Sequence, residues 1–406
     1  MAMSTSTCSC LFVALTLAYS ASTPTATRAG ARKDKKVFAT RTEVMSLHLA
    51  EAHFGLAYEE SEMGPSTDWA PGAVAFSVKR GLYLVDPGPP SAPQPSLQHF
   101  SRDWQRFSRD LRRVYCTPLV HSLGLAEPAT FVAHRLSIDD NGGLSLFYSR
   151  SYDAGEKDFA IAHFDPSGVL IENAAVEGVA AGSVSQEYVL MGPAHAFWVH
   201  DPTGSQRYWK AYDSSGKQGP KVPGDSDALV LRDGRLLAIA HGGAARLYDS
   251  TLRESPVEVH GTISNDDQGM IGGAGNFFGA ISLMGQRNTE TKSEFTTQMF
   301  YDIDILYHSH SRGGDVVTVL GKGSIALDPE KSQLDGGAIS AEKTRPSWMQ
   351  FDANGDLYVI SRRSPKHPAI VVSRFTLLPE VHQRLVHELD KTNGPAPTTA
   401  KPPDAQ

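Results

Sequence analysis

Long apolar runs are scarce in this 406-residue chain. Beyond the amino terminus none approaches the roughly eighteen residues that a membrane-spanning helix needs, which argues against a stable membrane span in the body. Cysteine is nearly missing: Cys8, Cys10 and Cys116 are the three. The first two fall in the amino-terminal segment, so Cys116 stands alone in the body and an intramolecular disulfide there is excluded. Positive charge is in short supply, with 38 Lys and Arg against 45 Asp and Glu and a net charge of −7. That argues against a nucleic-acid partner, because phosphate neutralisation needs a basic surface. The familiar catalytic signatures are missing as well: no G-x-S-x-G elbow, no H-E-x-x-H, no phosphate-binding P-loop and no paired C-x-x-C.

What the chain does have begins with an apolar run, Cys10-Leu-Phe-Val-Ala-Leu-Thr-Leu-Ala18, followed by small residues near Ser20 and Ser22. That is the length of a signal-peptide core with a cleavage site, although no Lys or Arg precedes it. It predicts residues 1–22 as a signal peptide and export to the periplasm or beyond. Residues 23–36 read as a flexible basic linker and residues 392–406 as a Pro/Thr/Ala-rich disordered tail. Between them lies one body, 37–378, followed by a short helix over 379–391. Pro379 suits that helix's first turn, and Asn393-Gly394 ends it.

The body repeats a phrase of apolar strand, Gly-centred turn and second apolar strand. The clearest examples are Phe76-Ser-Val-Lys-Arg-Gly81-Leu-Tyr-Leu-Val85, Leu136–Leu146 around Gly142, Leu229–Ala238 around Gly234 and Met349–Ile360 around Gly355. Weaker copies run from Val189 to Val199 and from Met270 to Ala280 through Gly272-Gly-Ala-Gly275. Period-two alternation puts one face of each strand inward, and Asp-Gly or Asn-Gly pairs supply the positive φ of tight hairpins. A second phrase is an aromatic-Asp turn: Phe164-Asp165, Tyr212-Asp213, Tyr248-Asp249 and Tyr301-Asp302. Its Asp can bond the backbone two residues on, while the aromatic packs between neighbouring units. Six hairpins roughly fifty residues apart predict an all-β propeller of six blades, about residues 70–378, with short flanking helices. Seven blades is the alternative, the seventh around Val316–Leu320. An amino-terminal strand, Val37 to Thr40, is expected to complete the last blade and remove a free edge.

Two helices are expected inside the body. One lies around Val44–Ala50. The other covers Ser96–Tyr115, where Phe100, Trp104, Phe107, Leu111 and Val114 recur at helical spacing with arginines elsewhere. Cys116 with His121 lacks a third orienting group, so Cys116 is expected to be buried and inert.

Candidate chemistry is sparse. His308 and His310 have the best metal-ligand spacing, since alternate residues of an extended strand share a face. His367 or Asp315 is the nearest thing to a third ligand, and a polar loop is the competing reading. Asp302 and Asp304, with Asp139-Asp140 and Asp266-Asp267, offer hard oxygens of the calcium-binding type but lack the spaced calcium-loop pattern. The segment Gln286–Arg345 is the largest departure from the repeat and carries Arg287, Lys292 and Arg312, a polar mixture suited to a partner.

At Phe76–Asp86 and Phe351-Asp-Ala-Asn-Gly-Asp-Leu-Tyr-Val-Ile360 the chain resembles NHL-type six-bladed propeller repeats. Pro87-Gly-Pro-Pro90 follows Asp86 where that family carries an Asn-x-Arg-Val-x signature. The resemblance implies an interaction platform, and relatives of similar shape include lactonases, sugar-oxidising enzymes and peptide-binding domains; fold alone does not choose among them. The expectation is a binding scaffold for a protein or glycan partner, with no cofactor. The alternative is a calcium-dependent hydrolase of the lactonase type.

Overall fold

The computed structural model describes residues 39–48, 60–61, 64–65, 72–88, 94–102, 111–126, 130–151, 157–179, 189–192, 196–201, 208–223, 226–240, 244–249, 251, 253–263, 267–273, 275–290, 295–311, 314–327, 349–362, 369–377 and 383. The signal-peptide, linker and tail segments, and nearly all of the 379–391 helix, lie outside them.

The chain is all-β and propeller-like. Strand β1 (Ala39–His48) comes first, then a two-residue pair, β2 (Glu60–Ser61) and β3 (Gly64–Pro65). Four-stranded antiparallel meanders follow. The first is β4 (Ala73–Ser77), β5 (Gly81–Asp86), β6 (Ser96–Arg102) and β7 (Leu111–Pro118), closed by the one-turn helix α1 (Leu119–Ser122). The second is β8 (Phe131–Ile138), β9 (Leu144–Ser151), β10 (Lys157–Phe164) and β11 (Leu170–Val176). The third is β12 (Val189–Met191), β13 (Phe197–Asp201), β14 (Tyr208–Tyr212) and β15 (Gln218–Pro223). Next come β16 (Ser226–Val230), β17 (Leu236–Ala240), β18 (Ala245–Tyr248) and β19 (Glu254–His260), then β20 (Asp267–Ile271), β21 (Phe277–Glu290), β22 (Phe295–Ser311) and β23 (Gly314–Leu327). These last two meanders fuse into one eight-stranded sheet, because the outer strands β19 and β23 pair in parallel. Finally β24 (Met349–Phe351), β25 (Leu357–Arg362) and β26 (Ala369–Leu377) take β1 as their fourth strand.

All six expected hairpins are the first two strands of a meander. The amino-terminal strand does close the last sheet, but it begins at Ala39 and runs to His48, which replaces the helix expected at Val44–Ala50. Met45 and Leu47 are buried against Val372 and Ile370, so their spacing is strand alternation. The helix expected over Ser96–Tyr115 is likewise absent at its described ends, which are β6 and β7. Residues 97 to 100 are all buried. A strand covered on both faces shows no period-two signal, and chance helical spacing then stands out. The expected seventh-blade core, Val316–Leu320, lies in β23, an inner strand of the eight-stranded sheet held between β19 and β22.

The turns follow from sequence. Asp139, Asp165, Asp213, Asp249 and Asp352 each accept with one carboxylate oxygen from the amides two and four residues on. Each closes either a first-to-second or a third-to-fourth strand turn, and alternate turns of a meander share an end. An aromatic precedes four of them and fills the space between sheets, Phe351 among Ile271, Phe277, Ile303 and Ile305 of the eight-stranded sheet. Phe164 packs with the first sheet's Tyr115, and Tyr212 stacks on Phe197 at 5.0 Å while meeting Phe147 and Phe159 of the second sheet. Tyr248 joins Trp198 and Trp209 of the third. Tyr301-Asp302 departs from the pattern and lies within β22. Gly216 shows why glycine is required: φ is 77°, and a Cβ there would stand 2.3 Å from the Ala175 carbonyl oxygen of the preceding sheet.

Candidate functional site

The most developed polar cluster sits where the two halves of the eight-stranded sheet meet. It begins with the β16–β17 turn, Leu231-Arg232-Asp233-Gly234-Arg235. Gly234, at φ 86°, lets the turn close through its amide to the Leu231 carbonyl at 2.9 Å. Asp233 accepts from the Arg235 amide at 3.1 Å and from its Nε at 2.7 Å, which holds the arginine side chain extended. The guanidinium then reaches Asp315 at the start of β23, with contacts of 2.8 and 2.9 Å to the two carboxylate oxygens. This is the bidentate pairing that a planar guanidinium favours.

Two histidines complete the cluster. His310 is the cross-strand partner of Asp315 in the β22–β23 ladder, and His308 follows on the same face two residues away. Both rings meet Asp315 Oδ1, His308 through Nε2 at 2.9 Å and His310 through Nδ1 at 3.0 Å. Asp315 and His308 are buried, whereas the His310 side chain is 69 % exposed. Burial pushes the Asp315 carboxyl up, but the Arg235 guanidinium and the two imidazoles outweigh it and hold it well below the usual carboxylate range. Burial opposes ionisation at Asp233 too, and the Arg235 bonds again prevail, lowering it. Asp315 is therefore a carboxylate and accepts only. Each imidazole donates to it, His308 through Nε2–H and His310 through Nδ1–H, so that in the neutral His310 ring Nε2 is the acceptor.

Beside this cluster opens a cleft of about 500 Å³ lined by Leu231, Arg232, Asp233, Arg235, Gly275, Asn276, His308 and His310. Asn276, in the β20–β21 turn, donates to the Tyr307 hydroxyl at 3.3 Å. Arg232 is exposed and faces Asp140 of the β8–β9 turn at 3.6 Å.

Of the sequence candidates, His308, His310 and Asp315 do converge, on a strand and not in a polar loop. Arg235 already occupies Asp315. Among the described residues no group of three or more His, Cys, Asp or Glu is placed to hold a metal ion. Asp302 and Asp304 are strand residues of β22, not turn residues, and Asp304 is buried. Arg287 lies in β21 opposite Gln298, because β21 continues to Glu290 where a loop was expected. Lys292 and Arg312 lie outside the described residues. Cys116 corrects its expectation: it is exposed, on the outer strand of its sheet. Arg235, Asp233 and Asn276 were not singled out in the sequence, where Asp233-Gly234-Arg235 reads only as a hairpin.

No protein-family model and no curated protein matches the sequence. Among solved structures, a glucose dehydrogenase is 12 % identical, with 82 % of this chain and 98 % of that chain covered and a TM-score of 0.40. The soluble aldose sugar dehydrogenase from Escherichia coli is 11 % identical over 83 % and 99 %, with a TM-score of 0.37. Trypanosoma rangeli sialidase is 9 % identical over 87 % and 61 %, at 0.40. Scores of this size carry no argument about activity. The propeller-like assignment rests on the chain's own strand pairing.

Proposed function

We propose that this chain is an exported six-bladed propeller that acts as a binding scaffold, with recognition at the cleft beside Arg235 and Asp315. Six meanders, the last completed by β1, support the blade count. The cleft lies at the end where first-to-second strand turns gather, and Arg232 and Asp140 connect two such turns. Loops on a rigid scaffold are where recognition is placed most readily.

The observation that carries the reading is the saturation of Asp315. A carboxylate held by four hydrogen bonds, two of them from one arginine, is a structural anchor and not a free acid or base. Around it stand exposed groups that pair well with a polar partner, a glycan or a protein loop. Export is supported by the apolar segment near the amino terminus, and among the described residues no helix is long and apolar enough to cross a membrane.

The test is binding to a glycan and protein array by the full chain and by an Asn276→Trp variant that fills the cleft. Loss of the array signal in a variant with unchanged circular dichroism supports the reading. Unchanged binding refutes the cleft as the recognition site. Stoichiometric retained calcium together with lactone turnover at enzymatic rates would replace the scaffold with the hydrolase alternative.

A further inference from the structure

Resting on the cleft as the recognition site, we infer its ligand class: an acidic sugar of the hexuronate type, whose carboxylate is taken by Arg232 and one of whose hydroxyls donates to His310 Nε2. Four observations converge on this. First, the tautomer of His310 is dictated by its neighbour. Asp315 accepts only, so Nδ1 carries the proton, and the neutral ring presents an Nε2 lone pair from a side chain that is 69 % exposed and lines the cleft. An acceptor held this way selects a donor, and a sugar hydroxyl is one.

Second, among the described residues of the cleft lining, Arg232 is the guanidinium not committed to a buried carboxylate. Arg235 is held by Asp233 and Asp315, while the partner of Arg232 is Asp140, 3.6 Å away and 87 % exposed at its side chain. An exposed pair of that length contributes little and is readily displaced. A ligand carboxylate can replace it with a shorter bidentate contact. Third, Asn276 adds an amide that both donates and accepts, on the opposite turn of the same cleft. Fourth, the volume of about 500 Å³ lies within the range of small-molecule sites. A neutral sugar would leave Arg232 with only its weak partner, and a simple carboxylate such as acetate would leave His310 unused. A ligand with both groups uses the whole lining.

Calorimetric and NMR titrations of the full chain with D-galacturonate, D-galactose and acetate test this. Galacturonate should bind at least tenfold more tightly than either control. Arg232→Gln should abolish that preference and bring galacturonate to the level of galactose. His310→Asn keeps a donor toward Asp315 but removes the Nε2 acceptor, and should weaken galacturonate at least fivefold while leaving acetate unchanged. In the free protein, nitrogen-15 correlation spectra should show His310 as the Nδ1–H tautomer. Equal binding of galacturonate and galactose, or galacturonate binding that survives Arg232→Gln, overturns the inference. If array partners bind through the cleft and galacturonate does not, the ligand class is wrong while the scaffold reading stands. If neither binds, both fall.

Discussion

Replacing Arg235 with Met should unfold this protein more easily than any surface change in the same turn. Arg235 and Asp315 are 23 % and 6 % exposed at their side chains, so the substitution leaves a buried carboxylate without its main counter-charge. Breaking one side of such a pair costs about 3–5 kcal/mol. His308 and His310 still donate to Asp315 Oδ1, and each such bond is worth about 1 kcal/mol or more, so the lower end, about 3 kcal/mol, is expected. With a urea slope of about 3 kcal/mol/M, the midpoint of unfolding should fall by about 1 M. A second substitution, Asp315→Asn, should recover at least half of that loss, because it removes the stranded charge. The pH dependence has a definite sign. In the native protein the folded pKa of Asp315 is depressed, so its contribution is present above the unfolded carboxylate value of about 3.9 and is lost as pH falls through the folded value. Without Arg235 that depression shrinks to what His308 and His310 sustain, and the gap between variant and native protein should narrow from pH 7 to pH 3. A deficit below about 1 kcal/mol at pH 7, or one independent of pH, refutes the assignment of Arg235 and Asp315 as an anchoring pair.

Gly216→Ala should cost at least about 2 kcal/mol in the same urea assay, since it combines a positive φ with a Cβ set against the Ala175 carbonyl oxygen; an effect under half that would mean the turn relaxes. Deleting residues 39–48 removes the outer partner of β26 and should yield aggregated protein by light scattering, whereas a soluble monomer of normal circular dichroism would show the edge is not needed. Native protein should label rapidly at Cys116 with a thiol reagent, and Cys116→Ser should remove that signal; labelling only after denaturation would contradict its exposure. Amino-terminal sequencing of protein recovered from an exporting host should begin shortly after Ser20, and an intact Met1 in soluble cytosolic protein would end the export proposal.

By itself, the sequence determined the local units of this protein. Asp-x-x-Gly turns and period-two strands are decided within a dozen residues, because the Asp carboxylate and the positive-φ glycine act on their own backbone. All six hairpins, the aromatic-Asp turns at Asp165, Asp213 and Asp249, and the closing strand near Thr40 were therefore readable. The spacing of His308 and His310 was readable for the same reason, since alternate strand residues share a face. Tertiary structure alone decided what these units meet. Strands buried on both faces, such as β6, carry no alternation to read, and the edge pairing of β19 with β23 joins segments more than fifty residues apart by backbone bonds that no side-chain pattern encodes. Arg235 and Asp315 are eighty residues apart, and only the packing of one meander against the next makes them a pair. That contact helps hold Asp315 as a carboxylate, to which His310 donates through Nδ1 at the edge of the cleft.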